Sequence, residues 1–544
     1  MSRATSQSPP TVQPGLSDER RIVASVAVSA LGTWSYNVGI AVYAYQETGS
    51  TAWVAAATVG RYVPALLITW VGSRFTDRLP RRSLAVGADL VCALVMLLLT
   101  VTAALHGPIP LAIALAAVSS GAARIQSASA LAVAADVVSE SRLPRTAGLL
   151  SGAEAVAVAA GPAVASLLLA VSAPPVLFAV NGLTFVASAI LLRRLRDVPP
   201  RPAHERPGGG GLTHPDVRAA LRGVRPLLVV RTTVAFVYGV DIVLLAVIAT
   251  DNLDIGTGGY GWLLAGAGLG GLVCAWWIRR DGGGGPATAP SIVGLALYTL
   301  PLLAYLAIDT LGGGLLVQAV RGFGCVLATA TAVSALQRSV PSAVSGRVLS
   351  ATHMLVMVGT SAGALVTPVL LSVWGLPATL GAVVLVAVVA AAVVVPALAH
   401  FDRRGAESLA ALDPRVDLLR RLAIFHDASR ATLYEVADSL DESEVPAGAP
   451  ILVEGEHADR LVVLVAGSVE VATGSGDARR SLRTMHAPAY VGEIGLLHGI
   501  PRTATVTAAQ PCRLWSLPAE TFLGAVSQAG VSSALTENVR VRLS

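Results

Sequence analysis

The sequence has no lysine and few charges of either sign: 39 arginines and 34 acidic residues make up 13% of its 544 positions. Soluble proteins usually carry about 25% charged residues. Hydrophobic residues account for 54% of the chain, and the mean hydropathy is +0.66. This composition excludes an ordinary soluble protein and indicates a membrane protein, which has the lipid bilayer as its surroundings.

Cysteine is also scarce, and its four positions show no metal-ligand spacing: Cys92, Cys274, Cys325 and Cys512. We therefore expect neither a zinc site nor a disulfide framework. Residues 1–20 are polar and lack the apolar core of a signal peptide, which predicts a disordered cytoplasmic tail.

Motifs of enzymes and of DNA-binding proteins are absent from the sequence. It contains no P-loop and no nucleophile elbow, and no helix-turn-helix follows the C-terminal strands. We expect no enzymatic activity, no cofactor, no metal and no nucleic-acid partner.

Long apolar runs fill residues 21–400. Twelve of them have about the 20 residues that a helix needs to cross a bilayer. They lie at about 22–45, 51–72, 83–105, 109–134, 146–171, 175–192, 224–250, 258–278, 289–308, 313–335, 348–373 and 376–399.

Among the loops between these segments, only every second loop contains arginine. The alternate loops, such as 47–50 and 106–110, contain none. The positive-inside rule then places both termini, and the C-terminal region, in the cytoplasm of a cell-membrane protein.

A Pro/Gly-rich stretch at residues 196–222 divides the membrane part into two sets of six segments, at 21–195 and 223–400. A faint repeat relates the halves without gaps, because Arg145 aligns with Arg347 and Gly161 with Gly363. Parallel repeats of this kind are typical of transporters.

Residues 401–544 are composed like a soluble domain. An amphipathic helix with breaks at Gly405 and Pro414 forms a connector over 401–416. Glycine-punctuated strands follow over 417–544, with turns at Gly448, Gly455, Gly467 and Gly492. The strands are predicted at Pro450–Val453, Arg460–Val465, Ser468–Thr473, Ser481–Met485, Thr503–Ala508 and Arg513–Leu517. Two helices from about Ala519 and Ser532 complete a small α+β domain built on a β-roll or jelly roll.

The most specific stretch of the chain is 491–508. Gly492 and Gly495 let backbone N–H groups approach a ligand, Glu493 can accept from a vicinal diol, and Arg502 can hold a phosphate. The run resembles the phosphate-binding cassette of cyclic nucleotide-binding domains.

The resemblance implies that Glu493 holds the ribose 2′-hydroxyl and Arg502 the cyclic phosphate of cAMP or cGMP. Gly492, Ile494 and Thr503 are expected in supporting roles at the same site. A threonine after the arginine resembles cGMP sites but also occurs beside cAMP, so the base stays open. Val491 replaces the aromatic residue of the family, which affects packing. The alternative is a degenerate roll that binds nothing.

The loop after the second segment carries Asp77, Arg78, Arg81 and Arg82 in the run S-R-F-T-D-R-L-P-R-R. It resembles the loop signature G-x-x-x-D-R-x-G-R-R of the major facilitator superfamily, with Ser73 and Pro80 in place of the two glycines. The resemblance implies a twelve-helix 6+6 fold and a gating role for this loop. The alternative is a plain positive-inside loop.

Segment five contains Gly161–Pro162 in an alanine-rich run that resembles the drug/proton antiporter motif of this superfamily. The alternative is simple packing of small residues. The runs GTWSYNVGIAVYAYQETGS (32–50) and GGYGWLLAGAGLGGL (258–272) are similar to multidrug and siderophore exporters of the superfamily, and the resemblance implies efflux.

Six charged residues lie inside apolar segments, where each costs at least about 2.5–3.5 kcal/mol unless it faces a partner or a cavity. We hypothesise that Glu154 or Asp241 carries a coupled proton, and that the arginines tune its pKa or hold an anionic substrate. Inter-helix salt bridges are the alternative. The six are Arg61, Arg124, Glu154, Arg231, Asp241 and Arg321.

Together these features predict a secondary transporter for a small molecule, with proton-coupled efflux regulated by cytoplasmic cyclic nucleotide. Two alternatives remain open. One is a membrane receptor that binds nucleotide and transports nothing, and the other is a constitutive exporter with a structural C-terminal domain.

Overall fold

The computed structural model describes residues 16–71, 80–138, 142–195, 215–281, 285–340, 342–426, 428–474 and 480–528. The chain divides into two compact units, Met1–Asp402 and Arg403–Ser544. Each unit contains hydrophobic clusters of its own.

The first unit is built from long apolar helices, because a helix satisfies its own backbone hydrogen bonds within a bilayer. The helices are α1 (Leu16–Thr48), α2 (Thr51–Val71), α3 (Arg81–Ala104), α4 (Ile109–Val137), α5 (Leu143–Val171), α6 (Pro174–Arg193), α7 (Pro215–Gly223), α8 (Arg225–Val247), α9 (Gly256–Asp281), α10 (Thr288–Thr299), α11 (Leu311–Ser339) and α12 (Ser342–Arg421). A π-helical turn, Ile248–Asn252, extends α8, and a 3₁₀ segment, Leu300–Leu306, extends α10.

In the described part of the chain, ten helices are long and apolar enough to cross a membrane. The last of them, within α12, covers both the eleventh and the twelfth predicted segments, and α1 covers the first. Every predicted segment is therefore helical wherever the structure describes it, and α7 is a short helix at the end of the predicted linker. The predicted membrane architecture is confirmed.

Helix α12 is interrupted at Gly375, whose backbone is non-helical with φ +69° and ψ −179°. This glycine lies in the predicted loop between the last two segments. The helix otherwise continues to Arg421, so the breaks predicted at Gly405 and Pro414 are wrong. A proline that follows a helical turn removes one hydrogen bond but keeps a helical φ, which the neighbouring turns tolerate here.

Small residues allow close helix crossings in both halves. A Cβ on Gly161 of α5 would lie 2.5 Å from Trp34 Cβ of α1, and a Cβ on Gly363 of α12 would overlap the Phe236 carbonyl of α8. These glycines are the pair that the sequence repeat aligns. Each brings the fifth segment of its half against the first, so the repeat describes equivalent packing.

The second unit contains two four-stranded antiparallel sheets with strand orders β1-β8-β3-β6 and β2-β7-β4-β5. This is a jelly-roll arrangement, as the strand pattern predicts. The strands are β1 (Asp441–Val445), β2 (Pro450–Leu452), β3 (Arg460–Ala466), β4 (Ser468–Thr473), β5 (Arg480–His486), β6 (Ala489–Val491), β7 (Thr505–Ala508) and β8 (Cys512–Pro518). Helices α13 (Arg430–Asp438), α14 (Glu493–His498) and α15 (Ala519–Gln528) accompany them.

Strands β1 and β6 were not predicted from the sequence. The residues of β1 are mostly acidic and exposed, and its register is set only by antiparallel pairing with β8. Strand β6 has three residues, too few for an alternating pattern. The helix predicted from Ala519 is confirmed, and the one predicted from Ser532 lies outside the described residues.

Candidate functional site

The segment between β6 and β7 turns sharply at two glycines. Strand β6 ends at Val491. Gly492 with φ +92° then precedes the short helix α14, and Gly499 with φ +62° follows it. Glycine adopts this left-handed backbone without the clash of a Cβ. The predicted turn at Gly492 is confirmed, and it places Glu493 at the first helical position.

Arg502 lies near the other end of this segment, between α14 and β7, and is 4% exposed. Its Nη1 donates to the Gly492 carbonyl at 3.0 Å, and its Nη2 donates to the Arg460 carbonyl at 2.8 Å. Its backbone N–H donates to the Glu456 carbonyl at 2.8 Å. Both the side chain and the backbone of Arg502 are thus held in one orientation.

Asp459 gives Arg502 an ion pair at 3.0 Å to Nη2. Burial lowers the pKa of the Arg502 guanidinium, and the hydrogen bond that Arg502 donates to Asp459 opposes this shift. An arginine keeps its charge in either case. The site therefore holds a permanent positive charge at a fixed position.

Three of the five N–H donors of this guanidinium are used by Gly492, Arg460 and Asp459. The Nε–H and the second Nη1–H have no acceptor among the described residues. Each of these two donors remains available to an acceptor oxygen of an anionic ligand, such as a phosphate. The arrangement suits an anionic ligand.

Glu493 is 3% exposed and follows the carbonyl that Arg502 holds. A buried carboxylate beside a glycine turn is suited to accept from neighbouring hydroxyl groups of a ligand. Of the supporting residues, Ile494 is half-buried and Thr503 is exposed. Val491 is buried in a cluster with Leu452 and Val506, so the family's aromatic position is filled by aliphatic packing.

A methyl group at position 492 should weaken ligand binding. The alanine of Gly492→Ala would take a strained left-handed backbone, costing about 1–2 kcal/mol, and its Cβ would lie 2.6 Å from Arg502 Nη1. We expect cAMP affinity to fall about tenfold, measured by anisotropy of a fluorescent analogue. Gly448→Ala is the matched control, because Gly448 also has a positive φ (+84°) but nothing within 4 Å of its Cβ. Equal affinity of the two variants would contradict this geometry.

Within the membrane unit, two of the charged candidates meet. Arg321 Nη2 donates to both carboxylate oxygens of Asp241 at 2.8 and 2.7 Å, and Tyr298 Oη donates to the same carboxylate at 2.8 Å. Arg321 Nε donates to the Tyr298 carbonyl at 2.9 Å, and its Nη1 to Gln318 Oε1 at 3.2 Å. This network joins α8, α10 and α11, and it favours a salt-bridge role for Asp241 and Arg321.

The other four charged candidates have no such ion pair among the described residues. Arg61 is buried, with its guanidinium 5.8 Å from the ring centroids of Tyr36 and Tyr62. Glu154 is exposed on α5 and interacts electrostatically with Arg124. Arg124 lies 3.2 Å from His353, and Arg231 is half-buried on α8.

Of the four residues in the loop signature, Arg81 and Arg82 lie within the described residues. Arg81 forms a 2.7 Å salt bridge with Asp136 of α4, and Arg82 donates to the Arg193 carbonyl of α6 at 2.6 Å. These contacts connect the start of α3 to the ends of two neighbouring helices. Asp77 and Arg78 lie outside the described residues.

Several residues of these sites were not predicted. Asp136, His353 and Asp459 become partners only through the tertiary fold. Asp89 was missed although a signal existed, because it is a carboxylate in the apolar run of α3. It is fully buried, and one of its oxygens accepts from Ser188 Oγ at 2.7 Å.

Each of the two units matches the model of a known protein family. The Major Facilitator Superfamily model matches residues 22–364, and the cyclic nucleotide-binding domain model matches residues 442–529. The two resemblances found in the sequence are thereby confirmed. The chain is a multi-pass membrane protein with a C-terminal cyclic nucleotide-binding domain.

Curated relatives are similar to the C-terminal domain. A cyclic nucleotide-gated potassium channel of Mesorhizobium japonicum is 37% identical over 105 residues, 19% of this chain and 28% of the channel. A cAMP-dependent protein kinase regulatory subunit of Yarrowia lipolytica is 31% identical over 99 residues, 18% of this chain and 25% of the subunit. The chain thus spans about a quarter of the length of these relatives.

Among solved structures, the regulatory domain of Toxoplasma gondii PKA with cAMP is 26% identical, with a TM-score of 0.21. The match covers 23% of this chain and 45% of that one.

Proposed function

Because this chain belongs to the Major Facilitator Superfamily, we propose that it is a secondary transporter that exports a small molecule and is regulated by a cyclic nucleotide. One observation carries the proposal. A superfamily domain at 22–364 shares the chain with a cassette that keeps both Glu493 and Arg502 in buried, ordered positions.

The ligand of the C-terminal domain is cAMP or cGMP. The fixed charge of Arg502 and its two unused N–H donors suit a cyclic phosphate, and the buried carboxylate of Glu493 suits a ribose 2′-hydroxyl. A similar kinase regulatory subunit is named for cAMP, which makes cAMP the first nucleotide to test.

Transport proceeds by alternating access, with the two halves rocking around a site between them. Nucleotide binding regulates this equilibrium only if the two states have different nucleotide affinities. In this proposal both termini and the nucleotide site face the cytoplasm, where cyclic nucleotides are usually made. The arginine-rich loops support this orientation through the positive-inside rule.

Proton coupling is assigned to Glu154 or Asp241. Glu154 is exposed in the first half and near Arg124, while Asp241 is paired with Arg321 in the second. Carboxylates within membrane segments commonly form proton relays in pumps and transporters.

Proteoliposomes with a trapped pH-sensitive dye test this function. We expect a member of a small-molecule panel to cause proton movement through the wild-type protein, with a rate that changes on addition of cAMP. Glu154→Gln/Asp241→Asn should abolish the proton movement. Solute-driven proton flux that persists in this double variant would refute the assignment of the coupling carboxylates, and flux that responds to neither cAMP nor cGMP would refute the regulation.

A further inference from the structure

Three arginines within the membrane segments form no salt bridge among the described residues: Arg61, which lies 5.8 Å from the ring centroids of Tyr36 and Tyr62, and Arg124 and Arg231. Arg321 is paired with Asp241, and Arg81 at the start of α3 is paired with Asp136. Among the residues that the structure describes, none forms a salt bridge with Arg124 or Arg231. These two side chains bring an uncompensated charge into a region where charge is costly.

Arg124 belongs to the first half of the membrane unit and reaches the second. Its Nη1 lies 3.2 Å from Nε2 of His353 on α12. A guanidinium can only donate, so Nε2 accepts and the imidazole proton is on Nδ1. His353 is therefore neutral in this contact and adds no charge that would balance Arg124.

Arg231 faces the same region from α8. Helices α8 and α12 pack closely, because a Cβ on Gly359 would lie 2.9 Å from the carbonyl oxygen of Thr232, the neighbour of Arg231. The Nε of Arg231 is fully buried and has no hydrogen-bond acceptor in the described structure. Both Arg231 and Arg124 interact electrostatically with His353.

The three groups form a cluster with two positive charges and one neutral imidazole. Glu154 interacts electrostatically with Arg124, but no salt bridge joins them among the described residues. Two guanidiniums near one imidazole repel each other, and an orphaned buried N–H is unfavourable. A single anionic group between them would relieve both costs.

We propose that Arg124, Arg231 and His353 form the binding site for the anionic group of the transported solute, a small organic acid with a carboxylate, sulfonate or phosphate. This assignment rests on the proposed transport function and specifies its substrate class. Arg124 would contribute from one half and Arg231 with His353 from the other. The bound anion would thus contact both halves, as alternating access requires.

The charge of this site can be tested by binding, without any transport assay. The purified full chain in neutral detergent is titrated against 5-carboxyfluorescein, an anionic dye, and against rhodamine 6G, a cationic dye of comparable ring system. We expect anisotropy to report binding of carboxyfluorescein and not of rhodamine 6G. Benzoate should compete, whereas its neutral counterpart benzamide should not.

Substitution of the arginines gives the decisive comparison. We expect Arg124→Gln and Arg231→Gln to weaken carboxyfluorescein binding at least about tenfold, because each removes charged hydrogen bonds. Arg231→Lys should restore part of the affinity. Arg225→Gln is the matched control, since it removes one charge at an exposed position of the same helix. A variant is taken as folded if it elutes as one monodisperse peak on gel filtration and, like the wild type, does not bind rhodamine 6G.

The proposal is overturned if the wild type does not bind carboxyfluorescein, or if Arg231→Gln binds it as well as Arg225→Gln does. It is also overturned if phosphatidylglycerol nanodiscs abolish dye binding and phosphatidylcholine nanodiscs do not, because the cluster would then be a lipid site. Carboxyfluorescein binding without proton-coupled flux of any solute would contradict the transport function and leave the anion site standing.

Discussion

Arg502→Ala should reduce cyclic nucleotide affinity about 30-fold or more. Truncating one side of a buried charged contact costs roughly 2–5 kcal/mol, and every 1.4 kcal/mol is a factor of ten. The loss has two sources here. The phosphate loses its cation, and the carbonyls of Gly492 and Arg460 lose the donor that holds the two ends of the site together.

The measurement is anisotropy of a fluorescent cAMP analogue titrated with the full chain. Arg480→Ala serves as the control, because it removes the same charge from an exposed position at the start of β5. We expect wild-type affinity for that control. Unchanged affinity in Arg502→Ala would mean that the cassette does not hold the phosphate through this residue.

Asp241→Asn should destabilise the membrane unit by about 3–5 kcal/mol. Breaking a buried ion pair on one side leaves the other charge without compensation. Arg321 is 0% exposed, so water does not replace the lost carboxylate, and Tyr298 loses a charged acceptor. Thermal unfolding of the purified protein, followed by loss of monodisperse material on gel filtration, measures the effect.

The double variant Asp241→Asn/Arg321→Gln separates structure from proton coupling. Removal of both charges should recover much of the stability, because replacement of a complete buried pair is often near neutral. If Asp241 also carries the coupled proton, the double variant is stable but shows no solute-driven proton flux. A single Asp241→Asn protein as stable as the wild type would contradict the role of the pair.

The membrane fold was largely predictable from the sequence, because hydropathy acts over about 20 residues and needs no tertiary contact. The continuity of the last long helix through Pro414 was not predictable in the same way, although its interruption between the last two segments was. Pro414 is a strong local signal, yet the helix passes through it, while Gly375 interrupts α12. Local propensity is a weak guide where packing decides.

The jelly roll was predictable where strands alternate and glycines mark the turns. Strand β1 has no such pattern, since four of its five residues are exposed and its pairing partner β8 lies some 70 residues away in sequence, with Asp441 opposite Ser516. Pairing with a distant strand is invisible to local periodicity.

For the sites, the sequence indicated which residues bear charge but not which of them meet. Glu493 and Arg502 were predictable because the family signature brings them together within one short segment. The partners Asp241 and Arg321 are 80 positions apart, and Arg124 and His353 are 229 apart. Such pairs depend on helix packing, so sequence reasoning selected Asp241, Arg321 and Arg124 only as isolated charges and did not select His353.

The central claim is that holding a nucleotide changes what the membrane helices do. Distance measurements between spin labels on the two halves test it without knowledge of the substrate. Labels at Ser83→Cys in α3 and Arg280→Cys in α9, both exposed, are introduced after replacement of the four native cysteines. The distance distribution reports the ratio of the inward-facing to the outward-facing population. We expect saturating cAMP to change this ratio by a factor of about 5–150, the usual range of allosteric coupling. The same titration in Arg502→Ala should change nothing. Identical distributions with and without saturating nucleotide in the wild-type background would contradict the account.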